Sequence, residues 1–189
     1  MDRIGGPSVK PYQPEGVWES GGYPTANTTY YQPDHGPALY RRSLYTFWKR
    51  MATMPDMDAF DAPPRDGSCT RRQRTNTPLQ ALVAMNDPQW LEAARCLAER
   101  VIQRDAATDR RLDDIGRLLL ARPWRPREQA VLHQALARFS AVYDHDLPAS
   151  RALIAVGESR PNPALPANEV AAWMLVASTA FNLDATLNK

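Results

Sequence analysis

The sequence predicts a mainly α-helical protein, an irregular helical bundle preceded by a long extended N-terminal arm. Three observations predict it. Residues 1–37 hold twelve glycines and prolines, from Gly5 to Pro37, which forbid any long helix there. From Pro78 onward, apolar residues return at helical spacing in segments bounded by prolines and capping residues. No run with the length and alternation of a strand interrupts them.

The arm, residues 1–37, is not a solvated linker. Tyr12, Val17, Trp18, Tyr23, Tyr30 and Tyr31 are too apolar to be left in water, so they are expected to pack on something. The abrupt aromatic start suggests the tail of a longer protein, with the arm docked on an upstream domain and Trp18, Tyr23 and Tyr30 forming an apolar docking face. Residues 38–189 are expected to form a helical domain with an arginine-rich loop at 55–77. Within it, Tyr40, Leu44, Phe47, Trp48 and Met51 recur at helical spacing and predict a helix over 38–53.

Thr77, Pro78 and Gln80 spell a capping box with proline at the first helical position, so a helix starts at Pro78. It must be short, because Asp87 and Pro88 restart the pattern. The second helix, Pro88 to about Arg104, places Trp90, Leu91, Ala94, Leu97, Ala98, Val101 and Ile102 on one face, with Cys96 one step off it. Asp109 opens a segment striped by Leu112, Ile115, Leu118 and Leu119, which Pro123 ends. Pro126 begins a long helix with Val131, Leu132, Ala135, Leu136, Phe139, Val142 and Tyr143 inward. A shorter helix is expected around 150–156, and a last one from about Asn168, with Val170, Trp173, Met174, Ala177 and Phe181 facing the core. The tight connections make neighbouring helices roughly antiparallel. The helix pairs share no repeated residue pattern, which argues against a solenoid.

Bulk properties narrow the function classes. A chain of 189 residues with 43% hydrophobic residues suffices for one domain with a real core. No stretch approaches the roughly 18 apolar residues of a membrane span, and the N-terminal residues lack the apolar core of a signal peptide. The net charge is only +2, yet the segment from Arg41 to Arg74 holds eight basic residues against Asp56, Asp58, Asp61 and Asp66. This interleaving of signs disfavours a nucleic-acid stripe. The two cysteines match neither a disulfide scaffold nor zinc-ligand spacing, and there is no CxxCH for covalent haem and no glycine-rich phosphate loop. No histidine and carboxylate cluster at ligand spacing, so no metal is expected.

The stretch FDAPPRDGSCTRRQRTNTPLQAL, residues 60–82, is the one candidate site. Arg65, Arg71, Arg72, Arg74, Asn76 and Thr77 lie just before a helix start, where guanidinium groups and backbone donors suit an anion. The competing reading pairs these arginines with Asp58, Asp61, Asp66 and backbone carbonyls to hold the loop in shape. Cys69 sits among arginines that would favour its thiolate, but no base is evident beside it. His35 is the one histidine in a loop before the helices, whereas His133 and His145 fall on or after an amphipathic helix. Asp61, Cys69 and His35 are therefore the catalytic candidates, and a structural thiol remains the plainer reading of Cys69.

Four motifs, GGPSVKPYQPEGVWE, HGPALYRRSLYTFWKR, FDAPPRDGSCTRRQRTNTPLQALVAMNDPQ and AAWMLVASTAFNLDATL, span nearly the whole chain. Together they closely resemble the C-terminal domain of a large bacterial family typical of planctomycetes. Its full-length members carry a planctomycete-type cytochrome-c-like domain followed by two domains of unknown function, of which this sequence resembles the second. The resemblance implies an exported, periplasmic or cell-envelope protein with haem in an upstream domain and no cofactor in this chain. PRDG at 64–67 departs from the more usual acidic or apolar filling before the cysteine.

The expected function is that of an accessory or docking module in a cytochrome-associated multidomain protein. Its partners would be the upstream domains, or those of a homologous full-length chain, and an anionic ligand such as a glycan held by the arginine loop. The alternative is a composite active site on polysaccharide or another anionic substrate. Arg71, Arg72 and Arg74 would then hold the anion, Asn76 and Thr77 orient it, and Asp61 or His35 carry the proton.

Overall fold

The structure is a computed structural model that describes residues 4–18, 29–49, 53–64 and 67–188. It is mainly α-helical, with no strand among the described residues beyond isolated bridging. The chain divides into two compact units, Met1–Thr75 and Asn76–Lys189.

The first unit is held by its own arm. The Val9 amide donates to the Tyr45 carbonyl at 2.8 Å, and the Phe47 amide donates to the Val9 carbonyl at 2.7 Å, forming a parallel bridge opposite Thr46. Lys10 and Asp34 are tied twice: the Asp34 amide donates to the Lys10 carbonyl at 2.8 Å, and the Lys10 amide to the Asp34 carboxylate at 2.7 Å. Trp18 is fully buried, edge-to-face with Tyr31 at 4.7 Å and tilted against Phe47 at 5.6 Å. The tryptophan expected on a docking face is thus a core residue of its own unit. Tyr30 is 73% exposed, and Tyr23 lies outside the described residues.

The helix expected over 38–53 does not form across residues 38–49, and Met51 of its stripe lies outside the described residues. Two 3-10 turns, Gly36–Tyr40 and Ser43–Tyr45, take its place, and Arg41 and Arg42 between them have extended backbone. The reason is a competing set of partners. Tyr45 and Phe47 use their backbone groups on Val9, while Arg41 stacks 3.6 Å over the Tyr45 ring and donates to the carbonyls of Pro7 and Gly5. Leu44, on the supposed apolar stripe, is 77% exposed. Downstream, α1 (Pro55–Ala59) forms one turn inside the span expected as loop, with Pro55 leading and Asp56 and Asp58 at the positive end.

The second unit is a bundle of seven helices among its described residues: α2 (Pro78–Asn86), α3 (Pro88–Arg104), α4 (Thr108–Leu120), α5 (Pro126–Tyr143), α6 (Leu147–Ile154), α7 (Ala167–Phe181) and α8 (Asp184–Leu187). Thr77 and Gln80 close the expected capping box reciprocally, each side chain bonding the other residue's amide at 3.3 Å. Asp87 caps α3 through the amides of Gln89 and Trp90. Helix α7 is the hub. It is buried almost all round, and α3, α5 and α6 pack against it. Its small residues Ala171, Ala177 and Ala180 let the neighbouring helices approach closely, and Trp173 and Met174 fill the space between them.

Four details depart from the spacing argument. Helix α6 starts a turn early, at Leu147, because Asp146 caps it through the Ala149 amide at 2.9 Å and Pro148 fits the first turn. Val131 and Val142 of α5 are exposed, since α5 meets the hub along one narrow face bearing Leu132, Leu136 and Phe139. Leu118 of α4 is likewise exposed. Asp184 starts a final short helix that periodicity alone does not reveal. Between α4 and α5, the Trp124 indole donates to the Leu112 carbonyl at 2.7 Å, and a Cβ on Gly116 would lie 2.9 Å from that indole nitrogen.

Candidate functional site

The arginine loop begins at Asp61, which follows α1 with a positive φ of 56°, an uncommon backbone for a residue with a side chain. That turn is fixed by what Asp61 holds. Its Oδ2 accepts from the Thr75 amide at 3.0 Å and from the Thr75 hydroxyl at 2.6 Å, so one carboxylate oxygen clasps the two ends of the loop.

Between the ends, Arg71, Arg72 and Arg74 are exposed on irregular backbone. None of the three makes a hydrogen bond or ion pair among the described residues. They line two adjoining open concavities. One, of about 390 Å³, is completed by Gln73 and Thr75, and the other, of about 500 Å³, is lined by the three arginines alone. Exposed guanidinium groups lining solvent-reached hollows have the chemistry to receive oxyanions in bidentate fashion. Arg65 lies outside the described residues.

The other candidates are placed differently. Asn76 and Thr77 begin the second unit and serve it. The Asn76 amide donates to Asp184 of α8 at 3.1 Å, and Thr77 is the cap of α2. Cys69 is an exposed free thiol, and Cys96 is another on α3. His35 is exposed and precedes the first 3-10 turn without capping it. His133, on α5, meets Asp109 at 2.7 Å on the surface of the bundle. Among the described residues no three of His, Cys, Asp or Glu gather as a metal-binding group.

Two polar clusters escape a reading by spacing. In the first unit, the Tyr31 hydroxyl donates to the Pro11 carbonyl, and burial together with the nearby Asp56 and Asp34 carboxylates pushes its pKa up. Burial likewise raises the pKa of Asp56, whose Oδ1 has no hydrogen-bond partner among the described residues. In the second unit, Glu92 and Arg95 of α3 are 5% and 1% exposed. Glu92 accepts from the amides of Glu158 at 2.8 Å and Ser159 at 3.0 Å, and also from the Ser159 hydroxyl. Arg95 donates to Glu99 at 2.9 Å and to the Ser159 carbonyl at 2.8 Å, while Glu99 accepts the Asn162 amide at 3.0 Å. These three charged residues fasten the loop from Gly157 to Asn162 onto α3. The signal in the sequence is their spacing, i, i+3 and i+7, which sets charges on one helix side next to Ala94 and Ala98.

A family model matches residues 1–136, and its description reads PSD1, protein of unknown function (DUF1553). The chain belongs to this family. The first three motifs quoted above for their resemblance to a domain of unknown function fall inside the match and are those of a DUF1553-type domain, whereas AAWMLVASTAFNLDATL, at 171–187, lies beyond it. The DUF1553 match covers all of the arginine loop and the α2 capping box, and it ends within α5. No curated protein and no solved structure matches the chain.

Proposed function

We propose that this DUF1553 domain is a binding module whose arginine loop captures an anionic ligand. The observation that carries this reading is the trio Arg71, Arg72 and Arg74, unpaired among the described residues and facing open concavities, on a loop whose ends Asp61 and Thr75 hold together. Binding is favoured over catalysis because Asp61, the first candidate proton carrier, already has Oδ2 engaged by two donors from Thr75. The resemblance of the motifs extends the proposal to its setting. The module would serve an exported, cell-envelope protein, with haem held by a cytochrome-c-like upstream domain and an anionic glycan as the ligand.

Thermal melting of the chain across sulfate, phosphate, and sulfated and carboxylated sugars tests the reading. A ligand that binds only the folded state at a hundred times its Kd stabilises by about 2.7 kcal/mol. One anion class should raise the melting temperature of the wild type and leave Arg72→Ala unmoved. Because Arg72 is exposed and bonds nothing among the described residues, the variant's own stability should stay within about 0.5 kcal/mol of wild type. If Arg72→Ala instead unfolds the protein while no anion shifts the wild type, the arginines are architecture and the proposal fails.

A further inference from the structure

On the reading that the arginine loop binds anions, we propose that its ligand carries two adjacent phosphate or sulfate groups, one seated in each of the two concavities that share Arg71, Arg72 and Arg74.

The sharing of side chains is the argument. The same three arginines line both hollows, so oxyanions seated in the two would draw on the same guanidinium groups. Neighbouring Cα atoms are 3.8 Å apart, which places the attachment points of Arg71 and Arg74 within about 11 Å of each other. Both hollows are therefore within reach of one small molecule. Each guanidinium offers five donors in a plane, and a single bidentate oxyanion engages only two of them. Donors remain for a second oxyanion on the other side. Charge points the same way, because one monoanionic group leaves most of the three fixed positive charges uncompensated, and a second linked group removes that excess without a second encounter.

The two seats differ in one useful respect. Gln73 lines only the first concavity, whereas the second is lined by arginines alone. A carboxylate placed at Gln73 therefore borders the first seat directly and repels an oxyanion there most strongly.

Isothermal titration of the full chain at low ionic strength compares pyrophosphate with orthophosphate, and a disulfated with a monosulfated sugar. The first pair reports phosphate ligands and the second sulfate ligands. The two-group member of one pair is expected to bind one to one and about tenfold or more tighter than its single-group counterpart. Arg71→Gln and Arg74→Gln should each remove most of that gain, with melting curves that verify folding. Gln73→Glu should erase the advantage of the two-group ligand while single-group binding persists in the second seat. Equal affinity for one-group and two-group ligands overturns this inference and leaves the anion-binding reading in place. Tight two-group binding that survives both arginine substitutions also overturns it, since the ligand then sits elsewhere. Absence of binding by any of the four probes defeats the inference and the anion-binding reading together.

Discussion

Gly157→Ala tests how firmly the loop after α6 is fastened to α3. Gly157 has a φ of +104°, and a Cβ there would lie 2.4 Å from Oε2 of Glu92, 2.6 Å from its Cβ and 2.8 Å from its Cδ. The Glu92 backbone belongs to the second turn of a 17-residue helix, so neither side yields easily. The backbone conformation alone costs an alanine roughly 1–2 kcal/mol. Displacing the carboxylate then weakens its bonds to the Glu158 and Ser159 amides, at about 1.5–3 kcal/mol for hydrogen bonds to a charged group. The total is about 4 kcal/mol. At about 4 °C per kcal/mol for a unit of this size, melting should fall by roughly 15 °C. Circular dichroism melts and urea titrations read this directly. The double variant with Glu92→Ala identifies the cause: with Oε2 and Cδ gone and only the Cβ contact left, Gly157→Ala should cost clearly less than it does in the wild type. A loss below about 1 kcal/mol in the single variant, or full additivity in the double, would refute the account of a loop clamped by Glu92.

Three further outcomes follow from buried and paired groups. Asp56 has a raised pKa from burial, so its contribution to stability is fullest below the ordinary carboxylate pKa and declines as pH rises toward its folded value; Asp56→Asn should therefore melt higher than wild type at neutral pH, and an equal or lower melting point would contradict the assignment. Glu128 is held down to about 2, first by the Arg122 side chain and then by the Arg125 amide, so its contribution is present above the usual glutamate pKa and disappears as pH falls toward 2. Side-chain carboxyl titration by NMR should show that midpoint moving up toward the usual value in Arg122→Ala. A chain ended at residue 136, where the family match ends, lacks α7 and should fail to melt cooperatively, because Ala94, Ala98 and Val101 then face water.

What the sequence discloses depends on whether the deciding partner is local. The helices of the second unit are legible because their signals sit within a few residues of one another, as with Thr77, Pro78 and Gln80, or Asp87 and Pro88. The helix that fails across 38–49 has a distant cause: Val9 and Gly5 claim the backbone and the arginine of that segment, and nothing near Tyr45 announces it. The site divides in the same way. The arginines' spacing near a helix start drew notice to the loop, and Arg71, Arg72 and Arg74 do stand exposed together. Thr77 is legible as a cap through Gln80, whereas the Asn76 side chain turns to Asp184, 108 residues on, where no local pattern points. Asp61 was singled out as a proton carrier, and its Thr75 contact lies fourteen residues away, beyond the reach of a local pattern.

That contact separates the loop's length from the fold's integrity. With both ends pinned by one carboxylate, residues added between Asp61 and Thr75 enlarge a ring that is already closed, and closure entropy grows by only about 0.6 kcal/mol for each doubling of its length. Lengthening this segment should therefore cost the first unit little stability. The segment is where a laboratory graft of a foreign binding sequence has the best prospect of being displayed intact.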